Sequence, residues 1–144
     1  MQPYDQNNIF AKILRGEIPC HKVYEDNHTL AFMDVMPQAK GHVLVIPKFE
    51  AVELTDMNSE FIQAVFSTAQ KIICAQRKVL QREGIVQLQL SGKEAGQSVF
   101  HYHIHLIPAS VHELGKHEGR VADQSELATL AAQLSAELDQ PTIK

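Results

Sequence analysis

Two cysteines, no extended apolar run and no surplus of positive charge set the first limits on this 144-residue chain. Cys20 and Cys74 stand apart from each other and from any metal-binding cysteine motif. Each therefore reads as a free, partly buried thiol rather than half of a disulfide. No stretch approaches the ~20 apolar residues that a membrane helix needs. The opening MQPYD lacks the basic-then-apolar pattern of a secretory signal, so the expectation is a cytoplasmic protein. Lys and Arg number 13 against 17 Asp and Glu, for a formal net charge of −4. That balance leaves no polyanion footprint, so neither nucleic acid nor a membrane is expected as a partner. A small anionic ligand is still compatible with it, because a local site can be positive within an acidic protein. Neither a repeat at solenoid spacing nor a low-complexity stretch is present.

What is present fits one domain spanning 1–144, with 44% hydrophobic and 21% charged residues. A chain of this length buries about 68–70% of its unfolded surface, enough for a core without staples. Asn8 followed by Ile9, Phe10, Ile13 and Leu14 predicts a short helix ending near Gly16. Residues 22–26 and 29–35 have strand composition, 36–41 is turn-like, and 42–47 completes a hairpin as a buried strand. Phe61, Ile62, Val65, Phe66, Ala69, Ile72, Ile73, Val79 and Leu80 recur at three- and four-residue steps, the stripe of a long amphipathic helix. Asn58 or Ser59 can cap its start and Gly84 can end it. Residues 85–91 alternate as a half-buried strand. Asp123 with Glu126 resembles a capping box before a last helix near 123–139. The fold class is α+β, with a mainly antiparallel sheet of about five strands, one long helix and one or two shorter ones.

The segment FHYHIHLIPA, residues 100–109, puts histidine at every second position. In a strand His101, His103 and His105 share one face, while Tyr102, Ile104 and Leu106 take the other. A helix would splay them. The aromatic and aliphatic content, with Pro108 as terminator, favours a strand. Three readings follow: a metal site, a catalytic array, or polar residues on a solvated face. One zinc cannot hold all three, because a strand rise of ~3.3 Å per residue separates His101 from His105 by about 13 Å. The catalytic reading uses a neutral imidazole, with unperturbed pKa ~6.5, as nucleophile. A protonated neighbour would then supply positive charge to an anionic substrate. That combination suits attack on phosphorus. Gly96, Gln97 and Ser98 just upstream can offer amides and neutral hydrogen-bond groups.

QSVFHYHIHLIP resembles the His-φ-His-φ-His-φ-φ signature of the histidine triad (HIT) superfamily, φ being apolar, and residues 8–48 resemble the N-terminal block of its bacterial HIT and Hint-like members. The likeness covers most of 8–108 and leaves 109–144 as an extension. It implies a HIT-like fold and a homodimer joined through the long helix at 58–83 and the strand before the glycine loop. It also implies hydrolysis or transfer at the α-phosphate of purine nucleotide conjugates such as nucleoside 5′-phosphoramidates, through a covalent nucleotidyl-histidine. The alternatives are a dinucleoside polyphosphate hydrolase, or a nucleotide-binding interaction module with little turnover. By position, His103 would be the nucleophile, oriented through its other nitrogen by a backbone group. His101 and His105 would flank the α-phosphate, and His42 would complete the cluster. Asp34 would hold the ribose, and Gln97, Ser98 and the Val99 amide the phosphate and leaving group. Phe10, Ile13, Ile18, Phe32, Val35 and Leu44 would surround the base. Without the resemblance Asp34 reads as a turn-initiating residue, and Phe10, Ile13 and Phe32 as core.

The chain departs from the family pattern in three places. Leu90-Ser91-Gly92 stands where many members have asparagine before the glycine, and Pro108-Ala109 follows the triad. Zinc-binding members carry cysteines where this chain has Asn8 and Ala11. No structural zinc, no catalytic metal and no cofactor are therefore expected. The remaining histidines, His21, His28, His112 and His117, read as solvent-exposed.

Overall fold

The computed structural model describes residues 2–115 and 121–143. Five strands form one antiparallel sheet: β1 (Lys22–Glu25), β2 (Thr29–Met33), β3 (Val43–Pro47), β4 (Val86–Leu88) and β5 (Ile104–Ile107), in the order β1-β2-β3-β5-β4. Three α-helices accompany it: α1 (Ile9–Leu14), α2 (Ser59–Leu80) and α3 (Gln124–Ala136). No helix among the described residues is long and apolar enough to cross a membrane.

Side-chain alternation divides the sheet into two unlike faces. Val23, Ala31, Met33, Val43, Val45, Ile104 and Leu106 point to one face, where they meet Val65, Ala69, Ile72 and Ala75 of α2 and Leu127, Leu130 and Leu134 of α3. Leu30, Phe32, Leu44 and Ile46 point to the other, where Phe10 of the short α1 joins them. β2 and β3 are buried along their whole length, which explains why they read as continuous apolar runs.

The helix caps follow the expected chemistry, with two adjustments. Asn58 caps α2 by accepting the Phe61 amide, and Asp123 caps α3 by accepting the amides of Ser125 and Glu126. α2 stops at Leu80 rather than near Gly84, because Gln81 itself turns left-handed, at φ +52°. Phe66, counted in the apolar stripe, is 44% exposed. Two polar residues occupy the buried stripe of α2: Thr68, whose hydroxyl meets that of Thr29 at 2.8 Å, and Gln76. The Gln76 amide donates to the carbonyls of Gly41 and Leu106, tying the helix to the turn before β3 and to β5. Cys20 and Cys74 are free, and Cys74 is exposed rather than partly buried.

β5 is shorter than the sequence suggests, beginning at Ile104. Its ladder with β3 runs Val43↔Leu106, Leu44↔His105 and Val45↔Ile104. Two residues beyond Val45 the partner strand reaches Pro47, which has no N–H to give a ladder. The chain peels away there, and the Tyr102 amide bonds to the Ala51 carbonyl at 2.7 Å instead. His101 and His103 thus lie in the chain leading into the strand, and only His105 lies within it.

Candidate active site

The β2–β3 hairpin carries two of the candidate residues at its mouth. Asp34 follows β2, His42 precedes β3, and the Asp34 amide bonds to the His42 carbonyl at 3.0 Å. Gly41 sits between the turn and His42 at φ +86°, and a Cβ there would come 2.5 Å from Leu80 Cδ1. Only glycine suits both the backbone and the helix behind it. The register then sets His105 opposite Leu44, next to His42.

The hydrogen bonds fix the tautomer of each ring. His103 Nδ1 lies 2.6 Å from the His101 carbonyl, which can only accept, so Nδ1 holds the proton and Nε2 keeps its lone pair. Among the described residues no partner reaches that Nε2. His42 Nδ1 accepts the Gln38 amide at 3.0 Å, so a neutral His42 carries its proton on Nε2. That nitrogen faces His105 Nδ1 at 3.0 Å and Asp34 Oδ2 at 3.5 Å. His105 in turn accepts on Nδ1 and presents Nε2–H. The ring centroids of His103 and His105 are 5.0 Å apart. A lone pair and an N–H donor therefore stand side by side.

His101 is turned elsewhere. It is 1% exposed, with Nε2 donating to the Pro47 carbonyl at 2.9 Å and Nδ1 accepting the Tyr4 hydroxyl at 2.7 Å. With both nitrogens engaged, its ring has nothing to offer a phosphate. Its carbonyl, by contrast, aims the His103 ring.

Burial overturns the expectation of charged flanking rings. Desolvation pushes His101 and His105 down to about 4, with the neighbouring His103 adding to the effect. Desolvation also pushes His103 down, against its bond to the His101 carbonyl. Without a bound anion these rings are uncharged at neutral pH.

Of the base-pocket candidates, Phe10, Phe32 and Leu44 form one buried cluster, with Ile13 and Val99 packed against it. Phe10 stands edge-on to both Phe32 and His103, at 5.4 and 4.9 Å. Ile18 is half-buried outside that cluster, and Val35 is 45% exposed on the hairpin turn. Gln97 is buried and committed to its own loop: Oε1 accepts the Gly92 amide, and Nε2 donates to the carbonyls of Val52 and Val99. It shapes the loop and has no group left over for a phosphate. Ser98 is exposed. Asp34 Oδ1 accepts the Met36 amide at 2.8 Å, the turn-initiating bond that its sequence context suggests.

His21 and His28 are half-buried and partnered, by Gln124 and Glu60, while His112 is exposed. His117 lies outside the described residues. Two residues that matter here gave no sequence signal: Tyr4, because its contact spans 97 positions, and Gln38, because it acts through its backbone.

Asp34, His42 and His105 offer ligand atoms that all lie within 4.8 Å of one another, close enough for one ion. The hydrogen bond to the other side of the His42 ring is wrong for it. A metal on His42 Nε2 requires the proton on Nδ1, where the Gln38 N–H already points. The cluster suits a hydrogen-bond relay better. Asn8 and Ala11 offer no metal ligand set either: Asn8 Oδ1 caps α1 through the Ala11 amide.

Comparison with known proteins agrees with this geometry. Residues 15–112 match the HIT domain family model. The chain is 46% identical over 103 residues to Protein hit of Bacillus subtilis, covering 72% of this chain and 71% of that protein. It is 35% identical over 134 residues to the adenosine 5′-monophosphoramidase HNT1 of Saccharomyces cerevisiae, covering 91% and 82%. Among solved structures, a Hit-like protein from Bartonella henselae superposes with a TM-score of 0.88 at 42% identity, over 95% of this chain and all of that one. The chain belongs to the HIT domain family.

Proposed function

We propose that this protein binds purine nucleotide conjugates and hydrolyses nucleoside 5′-phosphoramidates at the α-phosphate through a nucleotidyl-His103 intermediate. The observation that carries the reading is the 2.6 Å bond from His103 Nδ1 to the His101 carbonyl, which leaves Nε2 as a free nucleophile. Nε2 attacks phosphorus as the P–N bond of the substrate breaks. Binding of the anionic phosphate raises the proton affinity of His105, which takes up one proton from solvent; the leaving nitrogen then takes the Nε2 proton and leaves His105 as a neutral imidazole. Water then attacks phosphorus and returns a proton to the same His105 atom. The P–Nε2 bond breaks with its electron pair going back to His103, releasing the nucleoside monophosphate. Phe10, Phe32 and Leu44 supply an apolar surface for the base, and the Asp34 carboxylate faces the ribose. The phosphoramidase activity of a relative 35% identical over most of the chain supports this choice of substrate.

The working unit in this reading is a homodimer. β4 is an edge of the sheet, and α2 exposes Phe66. Light scattering should give twice the chain mass. The activity is tested by assaying adenosine 5′-monophosphoramidate and a diadenosine polyphosphate in parallel with wild type and His103→Gly. The reading expects the phosphoramidate to be preferred and His103→Gly to be inactive. Binding without turnover in wild type, or full turnover in the variant, would contradict it.

A further inference from the structure

We propose that Tyr4 is a positioning residue for the His103 nucleophile, acting through His101; this rests on the reading of His103 given above. Tyr4 lies before α1, outside the segment that matches the family model, and its hydroxyl bonds to His101 Nδ1 at 2.7 Å. The two rings also meet edge-on, at 5.6 Å between centroids. The direction of the bond is settled by the other side of the ring. Pro47 O accepts the proton of His101 Nε2, so Nδ1 is a lone pair and the tyrosine must donate. Burial raises the pKa of the hydroxyl, which keeps it a neutral donor.

His101 is thereby clamped at three points: its ring from Tyr4, its ring to Pro47, and its carbonyl to His103 Nδ1. The ring is buried, so the Nδ1 lone pair has no solvent to fall back on if the hydroxyl is removed. A buried acceptor left without a donor drives rearrangement. Rotating or shifting this ring moves the peptide whose carbonyl aims the nucleophile. Misplacement by about 1 Å at a reacting atom can cost ~100-fold in rate. A partial shift transmitted through one residue should cost less. The N-terminal segment thus contributes to the chemistry without touching substrate. His101 fits the same scheme, its ring serving the backbone and leaving phosphate contact to others.

The test compares wild type with Tyr4→Phe, which keeps the ring and removes only the donor. The expected result is kcat lowered about tenfold with KM changed less than twofold, and slower formation of the His103 adduct in a single turnover. Imidazole ¹⁵N spectra should show shifts at His101 Nδ1, which loses its donor, and at His103 Nδ1, whose bond to the His101 carbonyl is disturbed, while thermal unfolding remains cooperative. Tyr4→Leu should give at least as large a loss of kcat. If wild type forms the His103 adduct but Tyr4→Phe keeps kcat within twofold with unchanged imidazole signals, the positioning role is overturned and the nucleophile assignment stands. If wild type turns over without any His103 adduct, the nucleophile assignment fails and the role of Tyr4 fails with it.

Discussion

The two faces of one sheet have been put to different uses by the same strands. Val43, Val45, Ile104 and Leu106 go to a dry interface roofed by α2 and α3. Leu44, His105 and the approach residue His103, one step out of phase, go to a face covered by Phe10 and Ile13 of a six-residue helix together with Val99. On the first face packing predominates, with the Thr29–Thr68 and Gln76 hydrogen bonds set into it. On the second, each polar ring has a defined hydrogen-bond direction, and the apolar residues set the dielectric in which those directions count. Alternation with period two allows both in a four-residue strand.

If the division of labour is real, substitutions on the two faces should dissociate stability from turnover. The largest effect is expected for His103→Asn: turnover falls at least 10³-fold, as for nucleophile removal generally, while the denaturation midpoint moves little. Ile72→Ala on the opposite side should do the reverse. Ile72 is fully buried, so its truncation should cost about 3 kcal/mol in a urea titration, with kcat per folded molecule unchanged. A variant that lost both in equal measure would break the comparison.

As pH falls from neutral, acid should act first on the histidine face. An unfolded histidine titrates near 6.5, whereas folded His101 and His105 titrate at about 4. Between those values the unfolded chain binds more protons. Stability is therefore fully present above pH ~6.5 and is lost as pH falls toward 4, by up to about 3 kcal/mol per ring. Denaturation measured from pH 7 to 4 should show this slope, and replacing His105 by asparagine should remove its own share while leaving that of His101 and His103.

The smallest effect concerns Thr29 and Thr68, whose hydroxyls pair under α2. Either single change to valine should cost about 1–2 kcal/mol by stranding the partner, while the double change should cost less than the sum of the two, with kinetics unaltered throughout.

Most of this architecture was legible in the sequence because it depends on local periodicity. The Val65-Ala69-Ile72 stripe and the Asn58 and Asp123 caps are readable within a few residues. What escaped reading depends on groups far apart or on the backbone. That the His101 ring faces away from the triad follows from Pro47 O and the Tyr4 hydroxyl, 54 and 97 positions distant. The inward turn of Gln97 follows from the Val52 carbonyl. The neutrality of the rings follows from burial, which a motif does not encode. The late start of β5 is the exception: Pro47 is visible in the sequence, but its effect requires knowing the register.

The most direct measurement is mass spectrometry of a base-quenched single turnover with adenosine 5′-monophosphoramidate, with fragmentation to locate the modified residue. The account predicts an adenylyl group on His103, absent in His103→Asn. An adduct on His101 or His105, or steady turnover with no adduct at all, would contradict it.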